Sequence, residues 1–227
     1  MVALRTRTPK GPASGHRKRK ESSRRWLRRQ HADPFVLKAR EQGLRSRAAF
    51  KLRQIDDHHR LLAPGRKVVD LGAAPGGWSQ IAARRVSGPG NVPVVALDLV
   101  PINPIPGVIG IVGDVADDEM VPRILHALGG RADIVLSDMA AASTGHAATD
   151  RLRAIALCEQ ALAMAESLLA TNGTFLCKVA RGGTDSGLLA AIKTRFRRVK
   201  HVKPLASRSE SAEIYLLAIG YRATDFD

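Results

Sequence analysis

From Lys67 onward, short apolar runs alternate with longer stretches of helical periodicity, and this alternation limits the possible architectures more than any other feature. Strands are predicted over Lys67–Leu71 (KVVDL), Val92–Asp98, Val108–Val112, Ala132–Asp138 (ADIVLSD), Gly173–Val179 (GTFLCKV), Val199–Lys203 and Glu213–Tyr221 (EIYLLAIGY). Helical patterns fall between several of them, at Ser79–Arg85, Asp118–Leu128, Asp150–Leu169 and Asp185–Phe196. Strands that alternate with helices pair in parallel, because each connection crosses over the sheet, and the helices then cover both faces. The last two strands are joined by PLASRSESA with no helix, so they are expected to form an antiparallel pair at one edge. The expected fold is α/β: a mostly parallel seven-stranded sheet with an antiparallel edge strand and helices on both faces.

Two further helices are expected upstream. Asp33-Pro34 has the form of an N-cap followed by proline in the first turn, and this helix should stop near Gly43. The next should begin around Ser46, with Ala48, Leu52 and Ile55 on its inward face and Lys51 at the boundary of the core. A chain of 227 residues suits one such domain, expected over residues 30–227. No apolar stretch approaches the ~20 residues needed to cross a bilayer, so no membrane association is expected.

The charge is concentrated. The chain carries a net +15, and residues 1–29 hold eleven Lys or Arg against one acid, Glu21, which accounts for ten of those charges. With Pro9, Gly11, Pro12 and Gly15 among them, these residues are expected to form a disordered, RNA-binding arm. Further cations, Arg45, Arg47 and Arg53, surround Lys51, and Arg195, Arg197, Arg198, Lys200, Lys203 and Arg208 approach the final hairpin. The two cysteines, Cys158 and Cys177, form no C-x-x-C pair, and the seven histidines have no metal-ligand spacing. A cytoplasmic protein with free thiols and no metal is expected. Nothing in the sequence implies a protein partner, and a monomer is expected.

Asp70-Leu-Gly-Ala-Ala-Pro-Gly-Gly-Trp78 follows the first strand of the alternating region and precedes a helix, the context of a glycine-rich nucleotide-binding loop. Gly72, Gly76 and Gly77 would let the backbone approach a ligand, with Trp78 closing the loop. Asp98 ends the second strand 22 residues beyond Gly76, where a carboxylate accepts hydrogen bonds from ribose hydroxyls. Asp114 follows the third strand and is suited to accept from an adenine amino group. A nicotinamide cofactor would use the same loop and the same Asp98.

Lys178 lies in an apolar strand near its C-terminal end, where active sites of open α/β sheets form. An ionised lysine there costs free energy unless compensated, and Asp138, ending the preceding strand on the same edge, supplies a carboxylate to it or to a cofactor's ammonium group.

Taken in order, GLRSRAAFKL (43–52), DLGAAPGGWSQ, SDM, CKV and SRSESAEIYLLA resemble the FtsJ/RrmJ family of ribose 2'-O-methyltransferases, and the likeness runs across residues 33–222. It implies the Rossmann-like methyltransferase version of the fold, and S-adenosylmethionine as cofactor. The family's Lys-Asp-Lys-Glu tetrad falls on Lys51, Asp138, Lys178 and Glu213. The resemblance makes Lys178 the base, gives Asp138 a cofactor contact, and leaves Lys51 and Glu213 to complete the electrostatic setting. The chemistry suits such a set: a ribose hydroxyl is a poor nucleophile until its proton is removed, and a lysine beside another cation can act as the base.

The substrate implied is a uridine of 23S ribosomal RNA within the large subunit. Transfer RNA, messenger RNA caps and a catalytically inactive ribosome-assembly role are the alternatives that the motifs leave open. After SDM the chain reads AAASTG where relatives commonly carry Pro and Asn. The acceptor pocket is therefore expected to have its own shape.

Overall fold

The computed structural model describes residues 33–88, 93–180, 186–208, 211 and 213–223. The chain divides at Pro34 into Met1–Pro34 and Phe35–Asp227. The basic arm expected over residues 1–29 lies outside the described residues, as do the expected strand and helix starts at Val92 and Asp185.

Seven strands form one sheet in the order β3-β2-β1-β4-β5-β7-β6. They are β1 (Val68–Leu71), β2 (Val94–Asp98), β3 (Val108–Val112), β4 (Ala132–Ser137), β5 (Leu169–Ala180), β6 (Phe196–Val202) and β7 (Glu213–Tyr221). The first five pair in parallel. β7 runs antiparallel to both β5 and β6. The expected antiparallel hairpin therefore sits at one side of the sheet, with β7 inserted inward and β6 outermost.

Six helices accompany the strands among the described residues: α1 (Pro34–Glu41), α2 (Ala49–His59), α3 (Gly77–Val86), α4 (Met120–Leu128), α5 (Ala147–Leu168) and α6 (Ser186–Arg195). The period of two along the strands divides the core into two layers. Val69 and Leu71 of β1 belong to the layer that α4, α5 and α6 cover, whereas Val68 belongs to the layer on the other face with α2 and α3. Glycine ends α4 in the left-handed conformation at Gly129 (φ 65°), and the Gly130 N–H donates back to Leu125 O at 2.9 Å.

The structure differs from the sequence reading at β5, which begins four residues before the expected Gly173. Ala132 pairs with Leu169 but Ile134 pairs with Thr174, so β5 carries extra residues here, and Asn172 takes φ 68° within them. The stretch 170–172, left between the expected helix and the expected strand, is absorbed as a bulge inside β5. No helix among the described residues is long and apolar enough to cross a membrane.

Candidate active site

Strand order reverses beside β1: β2 and β3 extend to one side and β4 and β5 to the other, opening a crevice at the C-terminal ends of the parallel strands. A cavity of about 510 Å³ lies there, lined by Gly72, Ala74, Asp98, Asp114, Asp138 and Met139 among others. Gly72 follows β1 with φ 71°, and a Cβ there would come within 2.5 Å of Met139 Cγ. Only glycine lets the loop after β1 lie this close to the loop after β4. Asp98 ties the first loop down: its Oδ2 accepts from the Ala74 N–H at 2.8 Å, and its Oδ1 from the Val100 N–H at 3.1 Å. Asp114 Oδ1 accepts from the Ala116 N–H at 3.0 Å. Three carboxylates from three strand ends thus face one cavity.

Gly76, Gly77 and Trp78 do not line that cavity. A Cβ on Gly76 (φ 101°) would meet Ile105 Cδ1 at 2.8 Å, and one on Gly77 would collide with the Ser46 hydroxyl. Trp78 is buried, with its indole Nε1 donating to Ala48 O at 2.8 Å. The backbone N–H of Arg45 donates to Gln80 Oε1 at 3.1 Å, and the Arg45 guanidinium reaches Asn103 O at 2.7 Å and Pro104 O at 2.6 Å. The start of α3 therefore grips the segment leading into α2, which sets the position of Lys51.

A second cavity, of about 410 Å³, adjoins the first and shares Met139 and Ala140 with it. The rest of its lining includes the loop up to Ser143, Lys178, Val179 and Glu213. That loop is the AAASTG stretch, and Asp150 of α5 clasps it. Its carboxylate accepts from Ser143 Oγ at 2.6 Å and from both the N–H and the hydroxyl of Thr144 at 2.7 Å.

Lys51, Asp138, Lys178 and Glu213 gather beside this second cavity in two ion pairs. Lys178 Nζ donates to the Asp138 carbonyl oxygen at 2.7 Å and stands 3.2 Å from its carboxylate Oδ1. Lys51 Nζ lies 3.1 Å from Glu213 Oε2. Both lysine side chains are largely buried, 8% exposed for Lys51 and 12% for Lys178. Burial pushes the Glu213 carboxyl up, but Lys51 and Lys178 outweigh it and hold the group below its ordinary value. Both lysines are thus close enough to act on one carboxylate.

Tyr215, which the sequence reading missed, joins the two pairs. Its hydroxyl donates to Asp138 Oδ1 at 2.8 Å, its ring centroid lies 5.7 Å from Lys51 Nζ, and it stands opposite Lys178 across the β5–β7 ladder. Burial, and then the Asp138 carboxylate, push its phenol well above the ordinary value, so it stays a donor. The signal that finds it is the strand period: two residues beyond Glu213 returns to the same face of β7. Asp70, under the loop, is fully buried and takes a hydrogen bond from Ser79 Oγ at 2.6 Å. Burial, only partly offset by that bond, pushes its carboxyl up to about 7.

Among the described residues no cluster of His, Cys, Asp and Glu is suited to hold a metal ion. The arrangement instead offers a cavity lined by hydrogen-bond acceptors, a second cavity with an amine-carboxylate pair at its wall, and Met139 between them.

The model of the FtsJ-like methyltransferase family matches residues 44–221. The ribosomal RNA large subunit methyltransferases E of Brucella ovis and Brucella abortus (strain 2308) are each 53% identical over 204 residues, covering 89% of this chain and 85% of theirs. A Plasmodium falciparum crystal structure described as a ribosomal RNA methyltransferase superposes with a TM-score of 0.68 at 28% identity, covering 78% of this chain and 98% of that one.

Proposed function

Because the chain belongs to the FtsJ-like methyltransferase family, we infer that it carries a methyl group from S-adenosylmethionine to a ribose 2'-hydroxyl of ribosomal RNA, a uridine of the 23S RNA in the large subunit. The observation that carries this reading is the Lys178–Asp138 pair at the junction of two adjoining cavities. The acceptor set of the larger cavity fits the cofactor: three carboxylates, Asp98, Asp114 and Asp138, match its ribose hydroxyls, adenine amino group and ammonium group. Its volume lies in the range of small-molecule sites, about 300–1,000 Å³. When bound, the cofactor supplies an electrophilic methyl group.

The remaining work belongs to the side chains. The smaller cavity would hold the acceptor ribose beside the cofactor, and holding both reactants replaces a bimolecular encounter by a positioned one. Lys178, at the wall of that cavity, is the group placed to take the hydroxyl proton on its Nζ. Asp138 orients that amine through its carbonyl and its carboxylate, and Tyr215 fixes the carboxylate. Lys51, held by Glu213, places a second positive charge near the developing alkoxide.

The test offers labelled cofactor to undermodified large subunits, free ribosomal RNA and transfer RNA, then maps alkali-resistant linkages, since a methylated 2'-hydroxyl cannot assist backbone cleavage. Label at one uridine of the large-subunit RNA is expected. Label confined to transfer RNA, or none in any ribose, would overturn the reading.

A further inference from the structure

A third cavity, of about 630 Å³, lies outside the site, between the second half of α2 and the end of β6 with the loop beyond it. Its walls include His58, His59, Lys200, His201, Lys203 and Leu205. One wall, α2, also carries Lys51, and the other, β6, is paired with β7, which carries Glu213. His58 follows Lys51 by seven residues on α2, two turns along the same face and about 10 Å away at 1.5 Å per residue. On the other wall, Val202 pairs with Tyr215, so Lys203 enters the groove directly after the strand position that faces the tetrad. The Gln54 side chain joins the two walls at the near end, its Oε1 accepting from the Ala206 N–H at 2.8 Å.

We propose that this groove binds the backbone phosphates of the RNA strand flanking the target nucleotide, as a track leading away from the acceptor cavity. The inference rests on the RNA reading above and adds where the strand runs. The groove's charge is suited to it. Lys200 and Lys203 bring ammonium groups to the lining, the latter also donating to Ser211 O at 3.1 Å, and the one carboxylate in the lining, Asp57, is engaged by Arg85 at 2.5 Å. The imidazoles of His58 and His201 carry ring N–H groups of the kind that donate to phosphate oxygens. His59 Nδ1 lies 3.1 Å from Lys200 Nζ and holds the ammonium at the groove wall. Burial, then Lys200, then His58 keep the His59 imidazole below its ordinary pKa, so it serves as that acceptor at neutral pH. Leu205, 87% exposed at the lip, offers apolar surface to an unpaired base.

The experiment compares Lys200→Gln with Lys193→Gln, an exposed lysine of α6 outside the groove lining. Affinity for a single-stranded RNA spanning the target site is measured across a salt series, alongside a short RNA that ends at the target nucleotide on either side. Lys200→Gln is expected to lower the logarithmic salt slope on the long RNA by roughly 0.7, one phosphate contact, and to leave the short RNA and the saturating single-turnover rate unchanged. Lys193→Gln should change none of these. Equal slopes for the two variants on the long RNA, or an equal loss on the short RNA, would overturn the groove assignment. Absence of ribose methylation by the unaltered protein would instead sink the functional reading, so the two failures are distinguishable.

Discussion

At the scale of single residues, the contacts around Asp138 separate roles that the motifs alone merge. Lys178→Ala should abolish turnover while leaving cofactor affinity within a few-fold, because its amine faces the acceptor cavity. Asp138→Ala should weaken both, since Asp138 lines the cofactor cavity and also holds Lys178. Isothermal titration with cofactor and single-turnover rates check the pair, and residual activity of Lys178→Ala within tenfold of the parent would remove it as the base.

Asp70 gives a separate, pH-dependent expectation. Its folded value of about 7 lies above the ordinary 3.8, so between those values the native chain holds a proton that the unfolded chain has released. Stability from this group is therefore complete below about pH 4, falls as the pH rises toward 7, and is lost above it. Asp70→Asn removes the titration. In urea unfolding from pH 4 to 8, the variant should gain on the parent through that window, by at most about 4 kcal/mol from the shift. A constant difference between the two would show that Asp70 ionises normally in the fold.

At the scale of elements, glycine positions with similar backbones should respond differently. Gly129 (φ 65°) ends α4 with open space around it, whereas Gly72 (φ 71°) lies against Met139. Gly129→Ala should cost about 1 kcal/mol from the left-handed backbone alone. Gly72→Ala adds a collision in the wall of the cofactor cavity, so it should cost more stability and also lower cofactor affinity. Thermal melts and cofactor titrations of the two variants check this, and equal behaviour would mean that Met139 yields freely.

The elements also mark how far the sequence was legible. Strand positions were readable because parallel strands buried on both faces leave continuous apolar runs such as VVDL and DIVLS, and the ends of α1 and α4 because Gly43 and Gly129 take the left-handed form. Tyr215 was not, because within EIYLLAIGY a tyrosine reads as one more strand residue until the sheet brings Asp138 and Lys51 to it. Gly76, Gly77 and Trp78 sit in a motif whose spacing does not say which glycine faces a ligand and which faces Ser46 or Ile105. The bulge in β5 was hidden because Asn-Gly is common to turns and bulges.

At the scale of the whole molecule, most of the net charge lies in sequence away from the residues that line the two cavities. Removing residues 1–29 takes away ten of the fifteen net charges and no residue of either cavity. The truncated protein should bind RNA with a logarithmic salt slope lower by roughly 2 to 4, if three or four cations of the arm meet phosphates, and should keep its single-turnover rate at saturating RNA. Filter binding across a salt series measures the first and labelled methyl transfer the second. An unchanged slope would make the arm a bystander, and a lost maximal rate would make it part of the catalytic centre.

The insertion of β7 between β5 and β6 also governs how the molecule assembles itself. Both neighbours precede β7 in the chain, so each has an unpaired edge until β7 arrives, and pairing distant segments is slow. Glu213 and Tyr215 ride on that strand. Closing the sheet and completing the acceptor side are therefore one kinetic event. A nascent or partly folded chain, even one whose first five strands have already closed around the cofactor crevice, is expected to be catalytically silent.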